Sequence, residues 1–362
     1  MRLRPVYYLS AFIPLAILLD ALHASSALIF FAAAIAVIPT AALMGEATEQ
    51  LAARSGPGIG GLLNVTFGNA PELIIAFFAL IEGLQEVVKA SLVGSIISNI
   101  LLVLGASMFV GGLGRESQQF NRITARAQAA MLLLALTALI LPAIFQLVHG
   151  GHLPGVNQER QDFGSDLDKL SFGVAIVLIA SYAAGLVFSL VTHRELFNPY
   201  SEREHDTEGI WSTRRSVSLL AVAGLAVGGM SEILVHSIEK TSKDIGLSPF
   251  FIGVIVVAIV GNAAEHWVAV VVARKDKMNL AMNIAVGSSA QVALFVAPVL
   301  VLLSFVFGPH AMALVFNGYE IAAMLFAVLI AGFVTADGES NWFEGVQLLG
   351  VYVVLGLVFA FA

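Results

Sequence analysis

The chain has no cysteine. Disulfides, thiolate metal sites and cysteine nucleophiles are therefore excluded. Charge is scarce as well: Asp, Glu, Lys and Arg together make up 12% of the residues, roughly half the share found in soluble domains. The formal net charge is −7, which argues against a nucleic-acid partner. The short alternating strands of a transmembrane barrel are missing. So is the His-Glu-x-x-His of zinc hydrolases, and Glu265-His266 alone does not hold a catalytic metal. What the chain does have is apolar length. Hydrophobic residues make up 58% of it, in long runs from end to end, which predicts an all-α polytopic membrane protein rather than a globular domain with an anchor.

Eleven apolar stretches are candidate spans, near 6–20, 27–45, 59–81, 88–112, 126–148, 171–193, 216–237, 248–273, 281–307, 311–334 and 343–361. Orientation follows from Lys and Arg in the connections. With the N-terminus inside, the inner side collects Arg2, Arg4, Arg54, Arg115, Arg122, Arg126, Arg194, Arg203, Arg214, Arg215, Arg274, Lys275 and Lys277. The outer side is left with Lys89, Arg160, Lys169, Lys240 and Lys243. This predicts a cytoplasmic N-terminus and, with eleven spans, an outside C-terminus. Arg2 and Arg4 ahead of the apolar Pro5–Leu19 also fit a cleaved signal peptide, although an uncleaved first helix is the simpler reading. The polar connection 194–215, with its acidic stretch 202–208, divides the chain into halves. That stretch reads equally well as a solvated linker.

Two of the apolar stretches each contain a glutamate in the same setting: Gly68-Asn69-Ala70-Pro71-Glu72 and Gly261-Asn262-Ala263-Ala264-Glu265. An acid at mid-membrane costs on the order of 2.5–3.5 kcal/mol on insertion scales, so it is seldom kept without a task. The two motifs are 193 residues apart (261 − 68 = 193), and the same offset carries Val93-Gly94-Ser95 onto Val286-Gly287-Ser288 and Ile59-Gly60 onto Ile252-Gly253. Upstream, Met44-x-Glu46 corresponds to Met230-x-Glu232 if the second half carries seven more residues between motifs (193 − 186 = 7). Each half then has five spans after one extra helix. An odd number of spans inverts the second copy, as in alternating-access transporters. The predicted organisation is a transmembrane helix over 1–25, a first repeat over 26–193, a cytoplasmic linker over 194–215 and a second repeat over 216–362.

Asn69 and Glu72, like Asn262 and Glu265, are three residues apart and share a helix face. On the following spans Ser95 shares a face with Ser98, and Ser288 with Gln291. Every group is an oxygen donor, a set that suits hard cations; Ca2+ takes roughly 6–8 such oxygens. Serines in membrane helices also serve packing, whereas Asn69, Asn262 and Gln291 are costlier to bury without a partner. Gly68, Pro71 and Gly261 are predicted to break the motif helices and free carbonyls for the ion, with a milder break where Ala264 replaces proline. Two neighbouring carboxylates cannot easily stay ionised together, so protons and a divalent cation compete for them. His266 is placed to tune or relay protons or to make a structural hydrogen bond. Glu46 and Glu232 gate the two entrances or sit in a helix interface.

These residues resemble the Ca2+/cation antiporter superfamily, and within it the cation/proton exchanger family, specifically the Ca2+/H+ exchangers. The resemblance rests on Gly68 to Glu72 with Gly94-Ser95-Ile96-Ile97-Ser98-Asn99, and on Gly261 to His266 with Gly287-Ser288-Ser289-Ala290-Gln291. Sodium/calcium exchangers typically carry Gly-Thr-Ser in place of Gly-Asn-Ala and an acidic or Asn group on the next helix, where this chain has the uncharged Ser98 and Gln291. The resemblance implies Ca2+ export driven by inward proton flow, with Glu72 and Glu265 as ligands and proton carriers and Asn69 and Asn262 lining the site. It implies no cofactor, no enzyme activity, a lipid-bilayer setting and a prokaryotic plasma membrane in preference to a vacuolar one. Self-association is left open. A Na+- or K+-coupled Ca2+ exchanger is the nearest alternative, and a cation channel a more distant one, because channels repeat by oligomeric symmetry.

Overall fold

The computed structural model describes residues 5–156, 164–193 and 211–362. The acidic stretch 202–208 and most of the linker lie outside them. The elements are α1 (Phe12–Ala21, led by a 3-10 turn over Pro5–Ala11), α2 (Ser26–Arg54), α3 (Gly56–Gly68), α4 (Ala70–Ile81), α5 (Gln85–Gly112), α6 (Arg122–Val148), α7 (Ser165–Thr192), α8 (Thr213–Ile245), α9 (Pro249–Arg274), α10 (Met278–Phe307), α11 (Gly318–Val334) and α12 (Trp342–Phe361). The short strands β1 (Gln118–Gln119) and β2 (Glu339–Ser340) pair antiparallel. Among the described residues, eight helices are long and apolar enough to cross a membrane, and α3 with α4 makes a ninth if the pair is one span. Pro5–Ala21 and Gly318–Val334 are apolar but fall in the 10–17-residue class, shorter than a full crossing.

The chain forms two compact units, one of residues 1–78 and 180–245, the other of 79–179 and 246–362. Each draws helices from both halves of the sequence. In the first unit the repeat-matched helices α2 and α8 pack along one another. Met44, Ala70, Ala223 and Val227 form a core there, with Leu43, Phe67, Ile74 and Leu220 against it. The expected single span 59–81 is two helices, bent by 42°. The break falls at Asn69, ahead of Pro71. Asn69 ends α3, and its carbonyl accepts from Leu73 N (3.1 Å) to start α4. Pro71 then sits in the first turn of α4, where a missing N–H costs nothing.

In the second unit α5 crosses the first turns of α9 at close range. A Cβ on Gly94 would run into the Val254 carbonyl and lie 2.7 Å from Ala258 Cβ; on Gly253 it would lie 3.0 Å from Ala90 Cβ. Among the described residues of this unit, three stretches widen to π-helical turns: Ser98–Val103 in α5, Ile252–Val257 in α9 and Val292–Val296 in α10. The first and third match through the repeat (98 + 193 = 291 and 103 + 193 = 296). The helix break expected at Gly261 is absent. α9 is regular from Ala258 to Arg274, because Ala264 keeps the N–H that a proline would remove.

The span expected over 311–334 becomes helical only at Gly318. Met312 to Phe316 are non-helical and buried. Backbone of this kind is tolerated deep in a membrane protein only where its polar groups find partners. Side chains supply them: Ser304 Oγ accepts from Met312 N (2.8 Å), Ser171 Oγ accepts from Leu314 N (2.9 Å), and Lys89 Nζ donates to Val315 O (3.0 Å). Asn317 then caps α11 in a reciprocal pair with Glu320.

Candidate cation and proton site

In the first unit the motif acid stands at a helix junction. Asn69 is 1% and Glu72 6% exposed. Glu72 lies in the first turn of α4, where unpaired N–H groups and the helix dipole favour negative charge. The last carbonyls of α3 end at the same break, where Phe67 O accepts from the Asn69 N–H, so carboxylate and carbonyl oxygens share one place in the chain. Gly68 is the last residue of α3 and Pro71 the second of α4. Glu46, on α2, accepts a hydrogen bond from the Tyr7 hydroxyl. Its repeat partner Glu232, on α8, is exposed. The two suggested gating acids therefore stand in unlike surroundings.

In the second unit the sequence-matched residues meet directly. Glu265 is half-buried on α9, eight residues into the regular helix. Its Oε2 accepts from Ser288 Oγ on α10 at 2.8 Å. A charge-assisted bond of this kind aims the carboxylate and is about twice as strong as a neutral one. Asn262, 1% exposed, donates from Nδ2 to Ser95 Oγ on α5 (3.1 Å) and to Ala258 O (2.9 Å). With the amide nitrogen so engaged, Asn262 Oδ1 is left buried and without a hydrogen-bond partner among the described residues. An oxygen in that state is costly to bury and suited to a cation. Ser98 opens the π turn of α5 and donates to Ser95 O (3.3 Å), while Gln291 is half-buried at the start of the matching turn. Such turns concentrate at functional sites.

His266 Nε2 is 3.0 Å from Asn99 Oδ1. This pair was only half visible in the sequence. Asn99 belongs to a motif, but its repeat position is Val292 (99 + 193 = 292), and that of His266 is Leu73 (266 − 193 = 73). The repeat, which pairs most of the other candidates, does not mark the contact. Among the described residues no three His, Asp or Glu groups gather as a metal cluster. The oxygens that meet there are amide and hydroxyl as well as carboxylate.

The profile of the sodium/calcium exchanger protein family matches residues 25–191 and 215–361. The Ca2+/H+ antiporter ChaA of Bacillus subtilis (strain 168) is 45% identical over 353 residues, 97% of this chain and 97% of that protein. The Ca2+/H+ antiporter of Aphanothece halophytica is 43% identical over 366 residues, covering 97% and 94%. Among solved structures, native YfkE superposes with a TM-score of 0.84 at 40% identity, over 99% of this chain and all of that one.

Proposed function

The chain belongs to the sodium/calcium exchanger protein family, as a polytopic α-helical membrane protein, and from that premise we propose that it exchanges Ca2+ for H+. It acts as a transporter and not as an enzyme, and it exports cytosolic Ca2+ as protons flow inward. The observation that carries this reading is the donor set around Glu265. A carboxylate aimed by Ser288 lies one helical turn from Asn262, whose Oδ1 is buried and unbonded. The two bacterial relatives named as Ca2+/H+ antiporters support the choice of ions.

Glu72 and Glu265 are the ligands and the proton carriers. Together they neutralise one Ca2+; without it, desolvation favours protons on the same oxygens. A neutralised site crosses the apolar barrier far more readily than a charged one. Asn69 and Asn262 line the site. Ser95, Ser98, Ser288 and Gln291 support it, and the absence of charge at Ser98 and Gln291 favours protons over sodium as the counter-ion. The five-plus-five inverted repeat, the cytoplasmic N-terminus, the outside C-terminus and the bacterial plasma membrane belong to the same proposal, supported by the 193-residue offset and by the Lys and Arg distribution.

Uptake of radiolabelled Ca2+ into inside-out vesicles tests it, with pH and Na+ gradients imposed separately. An acid lumen drives uptake, a Na+ gradient alone does not, and the apparent Ca2+ affinity falls as pH falls. Uptake that follows Na+ with the pH gradient collapsed moves the protein to the sodium-coupled alternative.

A further inference from the structure

The charge distribution predicts Lys89 in an outer loop, yet it lies inside α5 and is 2% exposed. Its Nζ is 2.9 Å from Glu86 Oε1, one turn earlier on the same helix, and donates to Val315 O. Glu320, in the first turn of α11, is 0% exposed, and Lys89 and Glu86 are the charged side chains that act on it. One cation thus faces two acids in the interior. The repeat does not duplicate the group. Adding 193 to Lys89 and Glu86 gives Met282 and Asn279, and subtracting it from Glu320 gives Ala127. None of the three residues belongs to the transport motifs.

The polar atoms of the group are incompletely matched. Glu320 Oε2 accepts from Asn317 N at 2.8 Å. Glu320 Oε1, Glu86 Oε2 and Asn317 Nδ2 are buried with no hydrogen-bond partner among the described residues. With both acids ionised, the group carries a net charge of −1 in a low dielectric, and two acceptor oxygens stand without donors. If one acid is neutral the remaining pair is balanced, and the added O–H supplies a donor where two acceptors lack one.

We propose that Glu86, Lys89 and Glu320 form a second proton-binding site, apart from the exchange site, that holds one proton on its two carboxyl groups. The proton number is set by balance: two acids less one ammonium. The site fastens the first turn of α5 to the buried 311–317 segment and to the start of α11, so its proton is part of what holds that segment in place. Ser95 and Ser98 lie further along the same helix.

Infrared difference spectra of the full-length protein at neutral pH, wild type minus variant, provide the test. Glu320→Gln and Glu86→Gln should each remove the carbonyl band of one protonated carboxylic acid, because either change leaves a balanced ion pair. Lys89→Met should add such a band. In parallel, wild-type thermal stability should fall as pH rises above the ordinary carboxyl range. A group protonated in the fold but ionised in the unfolded chain favours the fold at low pH, and that advantage is lost as pH rises through its folded titration. Glu320→Gln should flatten this slope. Difference spectra that contain only carboxylate bands, or an unchanged slope in a folded Glu320→Gln, overturn the proposal. Neither readout depends on Ca2+ transport, so the proposal and the exchange mechanism fail separately.

Discussion

Glu72 and Glu265 occupy the same place in two copies of one motif, but the backbone holds them differently. Glu72 starts a helix after a 42° bend. Glu265 sits inside an unbroken helix and is aimed by a serine from the next span. The first arrangement stabilises negative charge by helix-terminal N–H groups and brings the carbonyl end of α3 beside it. The second does so with one hydroxyl and places the unbonded Asn262 Oδ1 one turn away. Sequence symmetry therefore does not carry over to local geometry. The single difference between the motifs, Pro71 against Ala264, is the natural place to test why.

The largest effect is expected where the two copies are equal. Glu72→Gln and Glu265→Gln each keep volume and one oxygen but remove charge and titration. Either is expected to abolish pH-driven Ca2+ uptake in vesicles while the protein still inserts, because an amide is cheaper to bury than a carboxylate. Normal uptake by one of them would mean that the copies are unequal in function as well as in shape. Ala264→Pro comes next. It removes a ladder bond from regular α9 and sets the ring against the Val260 carbonyl, at a cost of about 3 kcal/mol or more. Thermal unfolding in detergent should record that loss.

A third test concerns the glycines one span later. Gly94 and Gly287 are repeat equivalents, but only Gly94 is packed against backbone. A Cβ on Gly287 would meet nothing closer than Gln128 Nε2 at 3.5 Å. Gly94→Ala is expected to destabilise by about 1–3 kcal/mol through overpacking. Gly287→Ala is expected to be neutral or stabilising, since alanine is the better helix former by about 1 kcal/mol. Equal melting temperatures for the two variants would contradict the close crossing of α5 over 252–257.

The contrast also explains what was legible in the sequence. Glu72, Glu265, Asn69 and Asn262 stand out because polar groups in apolar runs are rare, and the offset paired them. The Asn262–Ser95 and Glu265–Ser288 bonds join residues that the motifs single out, although motif spacing alone does not pair them. The π turns did not, since one extra residue in a turn leaves no mark in a run of apolar side chains. Nor did the non-helical 312–316, whose composition reads as more helix; its conformation depends on nearby Ser304 and on Ser171 and Lys89, which are distant in sequence. Charge distribution alone places Lys89 in a loop, because a lysine near a span end reads as exposed. Its partner Val315 is 226 residues away.

The smallest expected effect is the most telling about the first motif. Proline next to a glutamate in a broken helix invites the reading that proline makes the break. Here Asn69 ends one helix and begins the next, and Pro71 follows at a position that needs no N–H. Pro71→Ala should then cost only the entropy that proline removes from the unfolded chain, about 0.4–1 kcal/mol. Spin labels on cysteines introduced at the far ends of α3 and α4 should report the same separation in the variant and the parent, because the chain has no native cysteine to interfere. A longer separation would mean that α3 and α4 had straightened. Pro71 would then hold the bend, and the unlike backbones of the two copies would come down to one residue.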